Sequence, residues 1–132
     1  CFNHRSSLGE HVLIKENHIT AAGSLKNAVK LARDFAPHCA KIEVETESLN
    51  DVKEALEAGA EVIMLDNMSP AQIQQAVTLI NKAATIEVSG GISLDTISDY
   101  ALPGVDVISI GALTHSATAA DFSMVIPVQP GE

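Results

Sequence analysis

Five short apolar runs in this chain each stop at a residue whose type could serve chemistry. These residues are Lys15, Glu45, Asp66, Ser89 and Gly111, and the intervals between them (15 to 45, 66, 89 and 111) are 30, 21, 23 and 22 positions. A short apolar run bounded by polar residues is typical of a strand buried in a parallel sheet. The carboxyl ends of parallel strands meet on one face, where α/β barrels carry active sites, so the five residues are predicted to converge.

Glu45 and Asp66 end neighbouring predicted strands, which places their carboxylates side by side. Two carboxylates in that position can bind Mg²⁺, with waters and substrate oxygens as the remaining ligands, or accept hydrogen bonds from sugar hydroxyls. The structural alternative is that Glu45 pairs with Lys41 or Lys15 and that Asp66 caps the following helix. Their matched positions at two strand ends favour the functional interpretation.

The last two predicted strands lead into turns of small residues, Ser89-Gly90-Gly91 and Gly111. Glycine lets a phosphate approach the backbone, and N–H groups at a helix start can bind it. Since no Lys or Arg follows Lys82, backbone N–H groups, Ser89, Thr114 or His115 would have to hold a phosphate there. Glycine also serves ordinary tight turns, but the last strands are the usual phosphate position in α/β barrels.

Arg5 and Lys15 supply cations near the first strand, a combination suited to an anionic small molecule. Arginine offers a planar fork for a carboxylate, whereas lysine acts as a point charge. His4 stands next to Arg5 and adds a group that can donate or accept a hydrogen bond. For either cation alone, a solvated surface position is the alternative.

The elements that position these residues repeat at about 22 residues as strand, polar end and helix, which indicates successive βα units. A serine, a preferred N-cap residue, precedes each of four predicted helices: Ser24, Ser48, Ser69 and Ser93. The fourth helix is expected to turn Leu94, Ile97 and Ala101 inward. Residues 21–23 are predicted to form a loop, and the last strand is predicted to run from Val105 to Ile110.

The composition excludes several classes of function. The formal net charge of −9 and the 3% content of aromatic residues argue against a nucleic-acid or membrane-surface partner. Cys1 and Cys39 have the spacing of neither a disulfide framework nor a zinc site. No run approaches the ~18 apolar residues of a membrane span and no signal peptide is evident, so a cytoplasmic location is expected.

The repeat count predicts an α/β fold, a partial parallel (β/α) TIM-type barrel with about five βα units, whereas a closed barrel takes ~250 residues. Residues 1–126 are predicted to form the carboxyl-terminal part of such a domain, and residues 127–132 a frayed tail. The chain begins at Cys1, inside a chemically dense segment. We therefore expect it to be part of a longer or divided protein and, as a partial barrel, to expose apolar edges.

Six ordered segments between residue 3 and about residue 124 resemble the carboxyl-terminal half of the quinolinate phosphoribosyltransferase family (nicotinate-nucleotide pyrophosphorylase, carboxylating). The segments are Asn3-His4-Arg5, Leu13-Ile14-Lys15-Glu16-Asn17-His18, Glu43-Val44-Glu45, Met64-Leu65-Asp66-Asn67-Met68, Ser89-Gly90-Gly91-Ile92 and Gly111-Ala112-Leu113-Thr114-His115-Ser116. The resemblance implies an enzyme of NAD biosynthesis. It would convert quinolinate and phosphoribosyl pyrophosphate to nicotinate mononucleotide, pyrophosphate and CO₂ with Mg²⁺, as a homodimer or higher homo-oligomer of the full-length protein.

The resemblance also implies roles for individual residues, with Lys15, Glu45 and Asp66 at the centre of catalysis. The pocket for the quinolinate dianion would be lined by His4, Arg5 and Lys15. The ribose hydroxyls and the metal would be bound by Glu45 and Asp66. The phosphate groups would be bound by Ser89, Gly90, Gly91, Gly111 and His115.

Three other functions fit the same scaffold. A paralogue, such as the molybdenum-transport-associated relatives, would use another anionic acceptor; the two cations and the Lys-Glu-Asn-His segment favour quinolinate. A non-catalytic half-barrel for assembly or regulation would not need intact site chemistry at all five strand ends. A phosphate-binding barrel isomerase would not need two cations before the second strand.

Overall fold

The computed structural model describes residues 1–126, and its centre is one parallel five-stranded sheet with the strands in chain order. The strands are β1 (Val12–Ile14), β2 (Ile42–Thr46), β3 (Val62–Asp66), β4 (Thr85–Ser89) and β5 (Val107–Ile108). The helices are α1 (Glu16–Ala22), α2 (Leu25–Phe35), α3 (Leu49–Ala58), α4 (Pro70–Ile80), α5 (Ile97–Tyr100) and α6 (Ala112–His115). The predicted α/β fold of five βα units is confirmed. The predicted tail, 127–132, lies outside the described residues.

The two faces of the sheet differ in chemistry because successive side chains along a strand point to opposite faces. The face toward the helices is apolar and belongs to the main core: Ile42, Val44, Ile63, Leu65, Ile86 and Val88. The opposite face, which we call the polar face, carries Glu43, Glu45, Met64, Asp66, Glu87 and Ser89. Helices therefore supply most of the apolar burial, and the polar face is left for chemistry.

Serine caps begin three of the four predicted helices. The hydroxyls of Ser24, Ser48 and Ser69 accept hydrogen bonds from backbone N–H groups in the first turns of α2, α3 and α4. The side chain of Gln72 also accepts from the backbone N–H of Ser69, so α4 starts with a complete capping box. These caps satisfy N–H groups that the helix itself leaves unpaired.

The fourth predicted helix is wrong in extent, and of its three predicted inward residues only Ile97 packs against the core. It covers only Ile97–Tyr100, Leu94 is 90% exposed, and Ala101 is also exposed. The cause is a hydrogen-bonded turn, in which the carbonyl of Ser93 accepts from the N–H groups of Thr96 and Ile97. Ser93 therefore starts a turn, with its hydroxyl 3.1 Å from Thr96 Oγ1, instead of capping a helix at once.

Two further boundaries differ from the predictions. A short helix, α1, runs through the front of the predicted loop to Ala22 and ends at Gly23, whose φ of +82° provides the left-handed cap. The last strand is regular only over Val107–Ile108, although Ser109 still donates its N–H to Val88 at 2.9 Å. None of the helices within residues 1–126 has both the length and the apolar character needed to span a bilayer.

Ile63 in the core and Leu94 in the irregular segment after β4 differ in burial, and this difference gives a stability prediction. Ile63 is 0% exposed in the core, so Ile63→Ala should lower the free energy of unfolding by about 2–5 kcal/mol. Leu94→Ala, an equal truncation at an exposed site, should change it by less than about 0.5 kcal/mol. Urea unfolding followed by circular dichroism measures both. Similar losses in the two variants would contradict the described packing.

Candidate functional site

The carboxyl edge of the sheet gathers three acids. Glu45, Glu47 and Asp66 each offer a carboxylate oxygen, and the three oxygens lie within 4.8 Å of one another. The register explains this, because Glu45 pairs with Met64 and Asp66 lies one side chain further along the same face. The predicted neighbours Glu45 and Asp66 are thus together. Glu47 was not predicted, although glutamates at 43, 45 and 47 alternate with other residues and so share one face.

Lys15 joins this cluster from the end of β1. Its Nζ lies 2.5 Å from Glu45 Oε2, so one of the structural pairings considered for Glu45 does occur. The hydrogen bond to Glu45 raises the pKa of Lys15 above its usual 10.5, which keeps the amine charged. Asp66 does not cap the next helix, because Ser69 does so. Its Oδ2 accepts a hydrogen bond from Asn67 Nδ2 at 2.7 Å instead.

The turn after β4 is built against the turn after β3. Asn67, with φ of +54°, donates its N–H to the carbonyl of Ser89 at 3.0 Å. Gly90 has φ of +91°, and a Cβ there would lie 2.4 Å from Asn67 Oδ1. Gly91 is also left-handed, at +63°, but the space beside it is open. The first glycine is therefore required by packing, and the second leaves its backbone accessible to a ligand.

Gly111 and His115 lie at the same edge of the sheet, beyond β5. A Cβ on Gly111 would lie 2.8 Å from His115 Nε2, so the imidazole covers the glycine. His115 is exposed, and its Nδ1 is 2.8 Å from Ser116 Oγ. Among the contacts of residues 1–126, none joins His115 to the acids or to Lys15. The structure brings this histidine to the predicted edge but not into the acidic cluster.

A second group of polar side chains lies deeper on the polar face, and the sequence analysis found only one of its members. The imidazole Nε2 of His4 is 3.0 Å from Glu87 Oε1 and 3.7 Å from Glu43 Oε1. Ser109 Oγ donates a hydrogen bond of 2.6 Å to the same Oε1 of Glu87. Glu43 and Glu87 are only 6% and 5% exposed. Charged residues inside predicted strands were the signal that could have found them.

Burial changes the protonation of this group. It raises the pKa of Glu43 to about 7, with the nearby charge of Glu87 as the second cause. The positive charges of His4 and half-buried Arg5 oppose the rise. Glu43 Oε1 has no hydrogen-bond partner within residues 1–126. The predicted residues His4 and Arg5 therefore lie beside the buried acids Glu43 and Glu87. Lys15 instead lies beside the acidic cluster at the edge of the sheet.

A family model described as the C-terminal domain of quinolinate phosphoribosyl transferase matches residues 1–125. The chain belongs to this family. The resemblance found from the six segments is thereby confirmed.

Individual members of the quinolinate phosphoribosyltransferase family are similar over most of this chain. The human carboxylating nicotinate-nucleotide pyrophosphorylase is 42% identical over 125 residues, which cover 92% of this chain and 42% of that protein. A probable enzyme of the same name from Methanocaldococcus jannaschii is 46% identical over 128 residues, covering 92% of this chain and 45% of that protein. The chain thus spans less than half the length of these relatives.

A solved structure of the family has the same fold. The crystal structure of NadC from Streptococcus pyogenes matches with a TM-score of 0.84 and 48% sequence identity. The match covers 94% of this chain and 44% of that one. At this identity, the fold and the order of the strand ends are shared by the two chains.

The contact between the two turns generates a prediction about Gly90. Gly90→Ala combines a left-handed backbone with a methyl group 2.6 Å from the backbone N of Asn67. Gly59→Ala has a similar φ, +81°, but open space, so it should cost only the backbone strain of about 1–2 kcal/mol. Urea unfolding should show a larger loss for Gly90→Ala, by at least about 1 kcal/mol. Equal losses would show that the two turns do not pack as described.

Proposed function

We propose that the complete protein carrying this chain transfers a phosphoribosyl group from phosphoribosyl pyrophosphate to quinolinate. The products are nicotinate mononucleotide, pyrophosphate and CO₂. The observation that carries the proposal is the meeting of Lys15 with Glu45 and Asp66 at the carboxyl edge of the sheet, in a chain of the quinolinate phosphoribosyltransferase family. The match of this chain to human and archaeal carboxylating pyrophosphorylases supports it further.

Cationic groups bind the acceptor in this proposal. Quinolinate carries two carboxylates, and Arg5, Lys15 and His4 supply the matching donors. The guanidinium suits a bidentate contact with one carboxylate, and the ammonium is a compact charge for the other. Because its pKa is raised, Lys15 stays charged throughout the neutral range. We assign Lys15 as the cation nearest the carboxylate that is lost.

Glu45 and Asp66 act on the donor sugar in this proposal. As the bond between ribose C1 and pyrophosphate breaks, positive charge develops on the sugar ring, and Glu45 and Asp66 stabilise it electrostatically. The pyridine nitrogen then forms the bond to C1, a step that depends mainly on positioning. Decarboxylation follows from the nucleotide adduct, where the positively charged ring takes up the electron pair of the broken C–C bond. A proton then adds at that ring carbon, and no described residue has to act as a dedicated base.

Mg²⁺ fits the acidic cluster. Three carboxylate oxygens within 4.8 Å, from Glu45, Glu47 and Asp66, are hard donors of the kind that Mg²⁺ prefers. When bound, the ion supplies positive charge that favours departure of pyrophosphate. The phosphate groups are held in this proposal at the turns after β4 and β5, by Ser89-Gly90-Gly91, where the space beside Gly91 is open, and by Gly111 with His115.

The complete enzyme acts in the cytoplasm as a homodimer or higher homo-oligomer in this proposal. Supporting evidence is an unpaired edge strand and apolar side chains with nothing over them among the described residues. Val107 of β5 is 41% exposed, and Phe122, Met124 and Ile126 beyond it are also exposed. Further barrel strands or a second subunit would cover these groups.

The activity test uses the chain in a complete context. We expect it to form nicotinate mononucleotide when it replaces the matching carboxyl-terminal segment of Streptococcus pyogenes NadC, and the 132-residue chain alone to form none. In this fusion, Lys15→Met should lower kcat/KM for quinolinate by at least about 100-fold, since a charge-assisted contact to the acceptor is lost. Product is measured by chromatography.

Lys82→Met is the matched control, because Lys82 is exposed and follows α4, at the other end of the sheet. It should leave kcat/KM within about twofold of the parent fusion. Product formed only with another dicarboxylate would identify a different acceptor. A fusion that folds but is inactive with every acceptor tried would support the assembly module instead.

The metal proposal is tested on binding rather than turnover. Glu45→Gln combined with Asp66→Asn should weaken Mg²⁺ binding by at least about tenfold, measured by isothermal titration calorimetry of the fusion. Glu57→Gln removes one exposed carboxylate from α3 and should leave the affinity unchanged. Equal affinities in all three proteins would place the ion elsewhere.

A further inference from the structure

His4, Glu87 and Ser109 form a hydrogen-bonded group on the polar face. Glu87 Oε1 lies 3.0 Å from His4 Nε2 and also accepts the hydroxyl proton of Ser109 at 2.6 Å. A carboxylate oxygen that accepts the hydroxyl proton of Ser109 can accept from the ring as well, in the tautomer that carries the proton on Nε2. Within residues 1–126 the other nitrogen, Nδ1, has no hydrogen-bond partner, so it can bind a ligand.

Three separate parts of the chain make this group. Glu87 lies in the interior of β4, and Ser109 follows β5 and pairs through its backbone with Val88. His4 comes from the irregular segment before β1, more than eighty positions away from Glu87. The two strand residues are fixed by the sheet ladder, whereas His4 has no regular element to hold it. The sheet therefore restrains Glu87 and Ser109, and these two residues in turn restrain His4.

A purely structural role explains these contacts poorly. Burying a carboxylate is expensive even beside a histidine, and an apolar residue at position 87 would pack at no such cost. Glu87 is 5% exposed, and its polar contacts include one with a residue predicted to bind substrate. A group of this kind acts on another side chain in much the same way as a carboxylate that orients a metal-bound or catalytic histidine.

We infer that Glu87, supported by Ser109, is a positioning residue that holds the His4 imidazole with Nδ1 directed at a carboxylate of the acceptor. The inference rests on the proposed function, since it assigns the ligand of His4 as the quinolinate dianion. The acceptor carboxylate binds the ring with a proton on Nδ1 as well, and the orientation of the ring is set by Glu87 before the acceptor arrives. Glu87 acts only through His4 and does not touch the reacting atoms.

Steady-state kinetics of the fusion with Streptococcus pyogenes NadC separate this role from a structural one. Glu87→Gln should raise KM for quinolinate about tenfold, because a hydrogen bond to a charged group is replaced by a weaker one. The KM for phosphoribosyl pyrophosphate and kcat should stay within about twofold, as expected when ground-state binding of one substrate is lost. Ser109→Ala should give the same pattern with a smaller change.

A double-mutant cycle tests whether Glu87 acts through His4. In the His4→Ala background, Glu87→Gln should cause no further rise in KM for quinolinate. Glu61→Gln is the control for a lost structural carboxylate, because Glu61 pairs with Arg33 at the opposite edge. It should lower stability without changing KM for quinolinate.

The outcomes distinguish the inference from the function on which it rests. Additive effects of His4→Ala and Glu87→Gln, or an unchanged KM in Glu87→Gln, would overturn the positioning role while the fusion still turns over quinolinate. A parent fusion that turns over no quinolinate would instead overturn the proposed function. A rise in KM that occurs equally for both substrates would assign Glu87 to the stability of the sheet.

Discussion

The parallel register of five strands is the constraint on which the rest of this structure depends. It brings the carboxyl ends of all five strands to one edge. It also directs alternate side chains of each strand to opposite faces of the sheet. Even positions of β2, such as Ile42 and Val44, meet the helices. Odd positions, such as Glu43 and Glu45, meet the site. A shift of one residue in the register of a strand would turn its apolar side chains to the polar face and its polar side chains to the helices.

Much of this arrangement was predictable from the sequence, because its causes are local. Strands that end in a polar residue, serines before helices and a regular interval all depend on neighbours in the chain. The sequence thus predicts Lys15, Glu45 and Asp66 at one edge, and the structure brings them together. The turn at Ser93 was not predictable in the same way. Its hydroxyl can serve either a cap or a turn, and Thr96 decides between them.

The missed residues have a common physical reason. Glu43 and Glu87 lie inside strands, where a sequence reading expects apolar residues, and their partners His4 and Ser109 are distant in the chain. Long-range contacts of this kind depend on strand order and register, neither of which appears in a local pattern. Glu47 could have been found, since it continues the alternation of Glu43 and Glu45 beyond the strand. Its exposure and its position past the last strand residue hid it.

The contact between Gly90 and Asn67 fixes the turns after β3 and β4 relative to each other. Main-chain atoms of neighbouring loops touch there, and a hydrogen bond from Asn67 to Ser89 ties them further. The separation of the Asp66 and Gly91 main chains is thereby set by backbone contacts. The two turns therefore have little conformational entropy left to lose if a ligand binds across them.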